Sequence, residues 1–136
     1  KAAMFGQSIG IQAGKLEDLI VTLKKGLPVS SLNKLCKHMG VPESRLATTV
    51  NIAQRTLTRR KLEGRFRPDE SERVLRIARL FDRAVAVMGS EQRAQQWFQS
   101  PVKGLGRKTP LEFADTEPGA QEVEAMLDRI EDGVFY

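Results

Sequence analysis

Between residues 70 and 88, apolar side chains return at helical spacing without a break. Val74, Ile77, Ala78, Phe81, Ala84, Val85 and Met88 form one stripe, and Leu75, Leu80 and Val87 widen it. A helix apolar over so much of its circumference is covered on more than one side. The pattern predicts a helix over 70–88, capped by Asp69 with Glu72 and closed by Gly89. It serves either as the central core helix or partly as a dimer interface. No stretch alternates with period two, no internal repeat is visible, and no run of about 18 apolar residues marks a membrane span. The chain is therefore expected to be all-α, with about seven or eight helices.

The other segments are read as short helices separated by glycine and proline. Residues 1–15 hold three glycines and scattered apolar side chains, as in a flexible arm. Leu16, Leu19, Ile20 and Leu23 predict a short amphipathic helix that stops at Gly26. Ser30 or Ser31 caps a second helix that ends at Gly40, and Pro42 opens a third. From 43 to 63 the pattern is that of a helix-turn-helix. Ala47 is the small residue at the helix crossing, and Leu46, Val50, Ile52 and Leu57 pack. Asn51 holds the turn position usually given to glycine, which asparagine tolerates. The second helix, about 54–63, carries Gln54, Arg55, Thr56, Thr58, Arg59, Arg60 and Lys61, all expected to be exposed. Arginines and lysines neutralise phosphates, and an arginine or glutamine can fork onto base edges in the major groove, so this face is the candidate contact to operator DNA. Residues 16–67 make the expected DNA-binding module. A charged helix face without a target is the plainer alternative.

After Gly89, Ser90 starts a helix bearing Ala94, Trp97 and Phe98, with the aromatic pair expected as a core anchor. Ser100-Pro101 ends it. The following loop has Gly104 and Gly106 but lacks the Gly-Lys-Ser/Thr element and the preceding strand of a phosphate loop. Thr109-Pro110-Leu111-Glu112 then fits a capping box with proline at the first helical position.

Catalytic chemistry finds no constellation. His38 is the only histidine, so a triad or histidine metal site has no second member. Cys36 is the only cysteine and lies in an apolar stripe with Leu32, Leu35 and Met39. It is expected as a buried small hydrophobe in a reducing, cytoplasmic setting. No metal, cofactor or enzymatic activity is expected.

Charge is split unevenly along the chain. Residues 109–136 hold eight acids and one base, a net −7, whereas the whole chain is +5, so residues 1–108 carry +12. That asymmetry suits a nucleic acid for the basic part and a basic protein surface for the acidic part. In the acidic part Val123, Met126, Leu127 and Ile130 share a helix face, Gly133 stops the helix, and Val134, Phe135 and Tyr136 follow. Those last side chains either fold back on the helix or meet a partner.

Asp115-Thr116-Glu117, Gly119-Ala120, Val123, Leu127, Arg129-Ile130-Glu131 and Gly133-Val134-Phe135 resemble the C-terminal toxin-binding domain of Xre-type antitoxins, in the Xre/MbcA/ParS group. The resemblance runs from about residue 16 to the end. Phe113-Ala114, in place of two leucines, and Pro118 depart from the family pattern. The resemblance implies a helical toxin-binding module over residues 68–136 behind the helix-turn-helix. It implies a RES-type toxin partner that consumes NAD. The chain end would block the toxin's NAD pocket with Arg129, Glu131, Asp132, Gly133, Val134, Phe135 and Tyr136. Antitoxins with a helix-turn-helix usually pair, because operators present two half-sites. A homodimer is expected, with its interface on the helices of 70–98. A plain repressor without a toxin partner is the alternative reading.

Overall fold

A computed structural model describes residues 16–133. They form eight α-helices: α1 Leu16–Lys25, α2 Ser30–Met39, α3 Glu43–Thr49, α4 Gln54–Glu63, α5 Pro68–Met88, α6 Glu91–Phe98, α7 Pro110–Phe113 and α8 Glu117–Glu131. A 3-10 turn, Lys103–Leu105, lies between α6 and α7. Among the described residues there is no strand, only isolated bridges pairing Pro28 with Arg65 and Val102 with Lys108. The all-α architecture is as expected. No helix among the described residues is long and apolar enough to cross a membrane. The predicted arm, 1–15, lies outside them.

The stripe on α5 is the axis of the core. Val74, Leu75, Ile77, Ala78, Leu80, Phe81 and Ala84 are all buried, because α8, α6, α1 and α2 pack around this one helix. Phe81 meets Phe98 of α6 with ring centroids 6.0 Å apart, and Trp97 stands edge-on to Phe98 at 5.3 Å. The aromatic pair is thus the anchor expected of it. α5 spends most of its apolar side chains inside the chain. Val85, Val87 and Met88 are half-buried. Among the described residues, the large apolar side chains left exposed are Leu16, Ile20 and Val21 on α1 and Leu62 on α4.

Two helix starts differ from expectation. α5 begins at Pro68, earlier than Asp69 and Glu72 suggested. Proline suits the first helical position, since it lacks the N–H that would go unpaired there. Glu70 then falls at the third position, and its Oε1 accepts from Arg67 N–H at 2.8 Å. In α2 neither serine caps. Val29 occupies the N-cap and Ser31 is buried. The entry is fixed instead by backbone pairing: Val29 N–H donates to Gly64 O at 3.1 Å, and Phe66 N–H to Leu27 O at 2.9 Å.

The acidic segment opens as anticipated. Thr109 N–H donates to Glu112 Oε1 at 2.9 Å, and Thr109 Oγ1 accepts from Glu112 N–H at 3.1 Å. Thr116 Oγ1 caps α8 by accepting from Gly119 N–H at 3.1 Å. Pro118 lies in the first turn, where a backbone donor is not needed, so this departure costs the helix nothing.

Candidate functional site

α3 and α4 are joined by a four-residue turn, 50–53. Asn51 adopts φ 56°, the left-handed conformation its place in the pattern required. The turn is held from within by Ile52 N–H donating to Ala47 O at 2.9 Å. It is also held from α5, where Arg73 Nε donates to Val50 O at 2.7 Å and Nη2 to Asn51 O at 3.4 Å. One arginine thus fixes the angle between the two helices, and with it the presentation of α4.

On α4, Leu57 is fully buried and sets the inward face. Gln54, Arg55, Thr58, Arg59 and Lys61 are exposed, and Thr56 is half-buried. Arg55, Thr58, Arg59 and Leu62 follow at spacings of three, four and seven, so they share one outward face. Leu62 is 86% exposed there, an apolar side chain on a basic face. It lies five residues beyond Leu57, on the far side of the helix from the packed stripe. Lys61 Nζ sits 2.8 Å from Glu43 Oε1, tying the last turn of α4 to the first of α3.

Arg60 is a correction. It was expected to be an exposed DNA contact, yet it is 4% exposed and faces α5. Its Nε donates to Glu70 Oε1 at 2.7 Å, its Nη2 to Glu70 Oε2 at 3.0 Å, and its Nη1 to Glu63 Oε1 at 3.1 Å. The reason is helical spacing. Arg60 lies three residues after Leu57, on the buried side, and Glu70 at the start of α5 supplies the counter-charge that allows it there. Burial pushes the Glu70 carboxyl upward, but the hydrogen bonds from Arg60 and Arg67 N–H and the Arg60 charge outweigh it. The group is held below the ordinary carboxylate value.

In the C-terminal part of the chain, α8 buries Val123, Met126 and Leu127, and Ile130 is half-buried. Several of its acids are engaged by arginines. Arg76 Nε is 2.9 Å from Glu117 Oε1, and Arg129 Nη2 donates to Glu122 Oε2 at 3.0 Å. Arg83 Nη2 donates to Asp128 Oδ1 at 2.9 Å and to Glu131 Oε1 at 2.6 Å, while Nη1 donates to Glu131 Oε2 at 3.1 Å. These hydrogen bonds, Glu131 first, raise the Arg83 pKa and keep it charged. The acidic excess of this segment is therefore partly balanced by arginines of α5. Asp132 and Gly133 are exposed, with Gly133 left-handed at φ 80°. Val134, Phe135 and Tyr136 lie outside the described residues.

The reactive candidates are quiet. Cys36 is buried, and desolvation with the nearby Glu43 charge raises its thiol to about 11. His38 Nδ1 lies 2.9 Å from Glu91 Oε2, a local pairing of α2 with α6. Among the described residues no cluster of histidine, cysteine and acids has the arrangement of a metal site.

Residues 18–79 match the antitoxin Xre-like helix-turn-helix domain, and residues 83–133 match the antitoxin Xre/MbcA/ParS C-terminal toxin-binding domain. The two matches meet within α5. An antitoxin Xre of Yersinia enterocolitica is 35% identical over 137 residues, covering 99% of this chain and 93% of that protein. An antitoxin Xre of Photorhabdus laumondii is 33% identical over 130 residues, covering 94% of this chain and 88% of its own length. One from Pseudomonas putida is 35% identical over 65 residues, covering 48% of this chain and 41% of that protein. With a helix-turn-helix in front, an acidic helix behind and two relatives alike along most of their length, the chain belongs to the Xre family of antitoxins.

Proposed function

We propose that this chain neutralises a RES-type toxin that consumes NAD, and represses its own operon through the helix-turn-helix. The observation that carries the reading is the exposed basic face of α4 in a chain whose other end is an acidic helix leading into Val134-Phe135-Tyr136. Residues 16–67 serve DNA and residues 68–136 serve the toxin, with α5 belonging to the core of both. The protein acts as a homodimer in the cytoplasm, and its role is binding, not turnover.

On DNA, Gln54 and Arg55 open the recognition helix, where base edges are reached, and Thr56, Thr58, Arg59 and Lys61 follow along the groove. Arg60 supports the helix from behind. At the toxin, the chain end from Arg129 reaches the NAD pocket, with Arg129 and Glu131 forming the helix end behind the residues that enter it. A dinucleotide site offers basic groups for phosphates and a slot for a base. Asp132 supplies charge, Phe135 and Tyr136 supply rings, and the tyrosine hydroxyl satisfies a polar wall. A buried aromatic anchor would dominate the interface energy. Such a plug competes directly with NAD and needs no conformational signal.

Truncation after Asp132 tests the plug. The shortened chain is expected to stay folded and dimeric but to stop protecting NAD from the cognate toxin. If it neutralises as well as the full chain, the plug is wrong, and the contact falls to helical faces bearing Glu122, Glu124 and Asp128. A plain repressor would show no toxin binding in either form.

A further inference from the structure

We propose that Arg83 aims the C-terminal tail, making it a positioning residue for toxin neutralisation; this rests on the tail reading above. Arg83 stands on the core helix beside Phe81 and Ala84, which are 1% and 0% exposed, so its backbone has no freedom to follow a moving partner. Its side chain is 20% exposed and forks across both oxygens of Glu131 while also holding Asp128. Glu131 is the last residue of α8, and Asp128 lies one turn before it. A bidentate arginine fixes direction as well as distance. The cation also meets the negative end of the α8 dipole, where a helix otherwise frays.

Only Asp132 and the left-handed Gly133 separate this grip from residue 134. Loss of one helical turn would move the departure point of the tail by about 5 Å. Glu131, expected from the family resemblance to touch the toxin, has both carboxylate oxygens on Arg83. It acts on the toxin through the helix end it secures.

The experiment is a cycle of Arg83→Met with truncation after Asp132, read as affinity for the cognate toxin. In the full chain Arg83→Met should weaken binding at least ~10-fold, and in the truncated chain by less than about 2-fold, because coupled sites depart from additivity. Arg83→Lys should recover part of the loss. Operator affinity should be unchanged, and helix content should fall by no more than about one turn. Amide exchange at residues 128–133 should quicken in Arg83→Met while α5 stays protected. Unchanged toxin affinity in the full chain overturns the proposal. So does an equal loss in both backgrounds, which would make Arg83 a plain brace for α8, or unaltered exchange at 128–133. Truncation alone leaving affinity intact overturns the tail reading itself, a separate outcome.

Discussion

Arg60 and Glu70 meet face to face inside the protein, with Nε–Oε1 at 2.7 Å and Nη2–Oε2 at 3.0 Å, so the recognition helix is fastened to the core helix by one buried ion pair. Glu70 is held below its ordinary value of 4.5 in the folded chain. A lowered carboxylate stabilises fully above the unfolded value, and that contribution is lost as pH falls through the folded value. Glu70→Gln should therefore lower Tm at pH 7 and flatten the decline of Tm as pH falls below the ordinary value of 4.5, measured by thermal melts from neutral to acid pH. A wild-type pH profile in the variant would show that the pair carries no linkage.

Arg59 and Arg60 are neighbours in sequence with opposite roles. Arg59→Ala should leave Tm nearly unchanged, weaken operator binding and reduce the slope of log affinity against log salt by about one if it contacts a phosphate. Arg60→Ala should lower Tm first and affect DNA only through the displaced helix. Melting curves beside salt-dependent binding separate the two. The Arg55, Arg59 and Lys61 triple neutral variant should lose operator binding while folded. If it binds normally, α4 is not the DNA contact.

Gly119 packs directly against the Phe113 carbonyl, and an added Cβ would collide with that oxygen. Gly119→Ala should be destabilising although alanine is the better helix former by about 1 kcal/mol. Because α7 and α8 would separate, the loss should appear in toxin binding before operator binding. A variant of equal or higher Tm would refute the contact.

Cys36 should be slow to react. Its thiol is buried and raised to about 11, so little thiolate exists at neutral pH. Iodoacetamide at pH 8 is expected to label it only on the unfolding timescale, read by mass spectrometry with and without urea. Rapid native labelling would contradict the burial.

Helix content, the order of the helices and the turn at Asn51 were legible because they rest on local rules. Apolar spacing, glycine stops and the Thr109–Glu112 capping box need only neighbours within a few residues. The exposed side chains of α4 follow from the same spacing, except Thr56, which is half-buried, and Arg60, whose charge suggests exposure. Arg60 shows the limit of that shortcut. Its spacing from Leu57 pointed inward, but the partner that permits burial is ten residues away on another helix. The start of α5 was misjudged for a related reason, since Pro68 and Glu70 define it together while Asp69 and Glu72 only mimic a cap.

By itself, then, the sequence determined an all-α chain built on the 70–88 stripe, a basic helix-turn-helix and an acidic end. These follow from periodicity, turn residues and charge, which any short window of the chain contains. Only the tertiary structure decided which charges are spent inside. Arg60 goes to Glu70, Arg73 to the carbonyls of the helix-turn-helix turn, and Arg83 to the last turn of α8. Those partners lie 10, 23 and 48 residues apart in the chain, beyond the reach of any local rule. An arginine reads the same in sequence whether water, a phosphate or a carboxylate will receive it, and packing around α5 settles which one it meets.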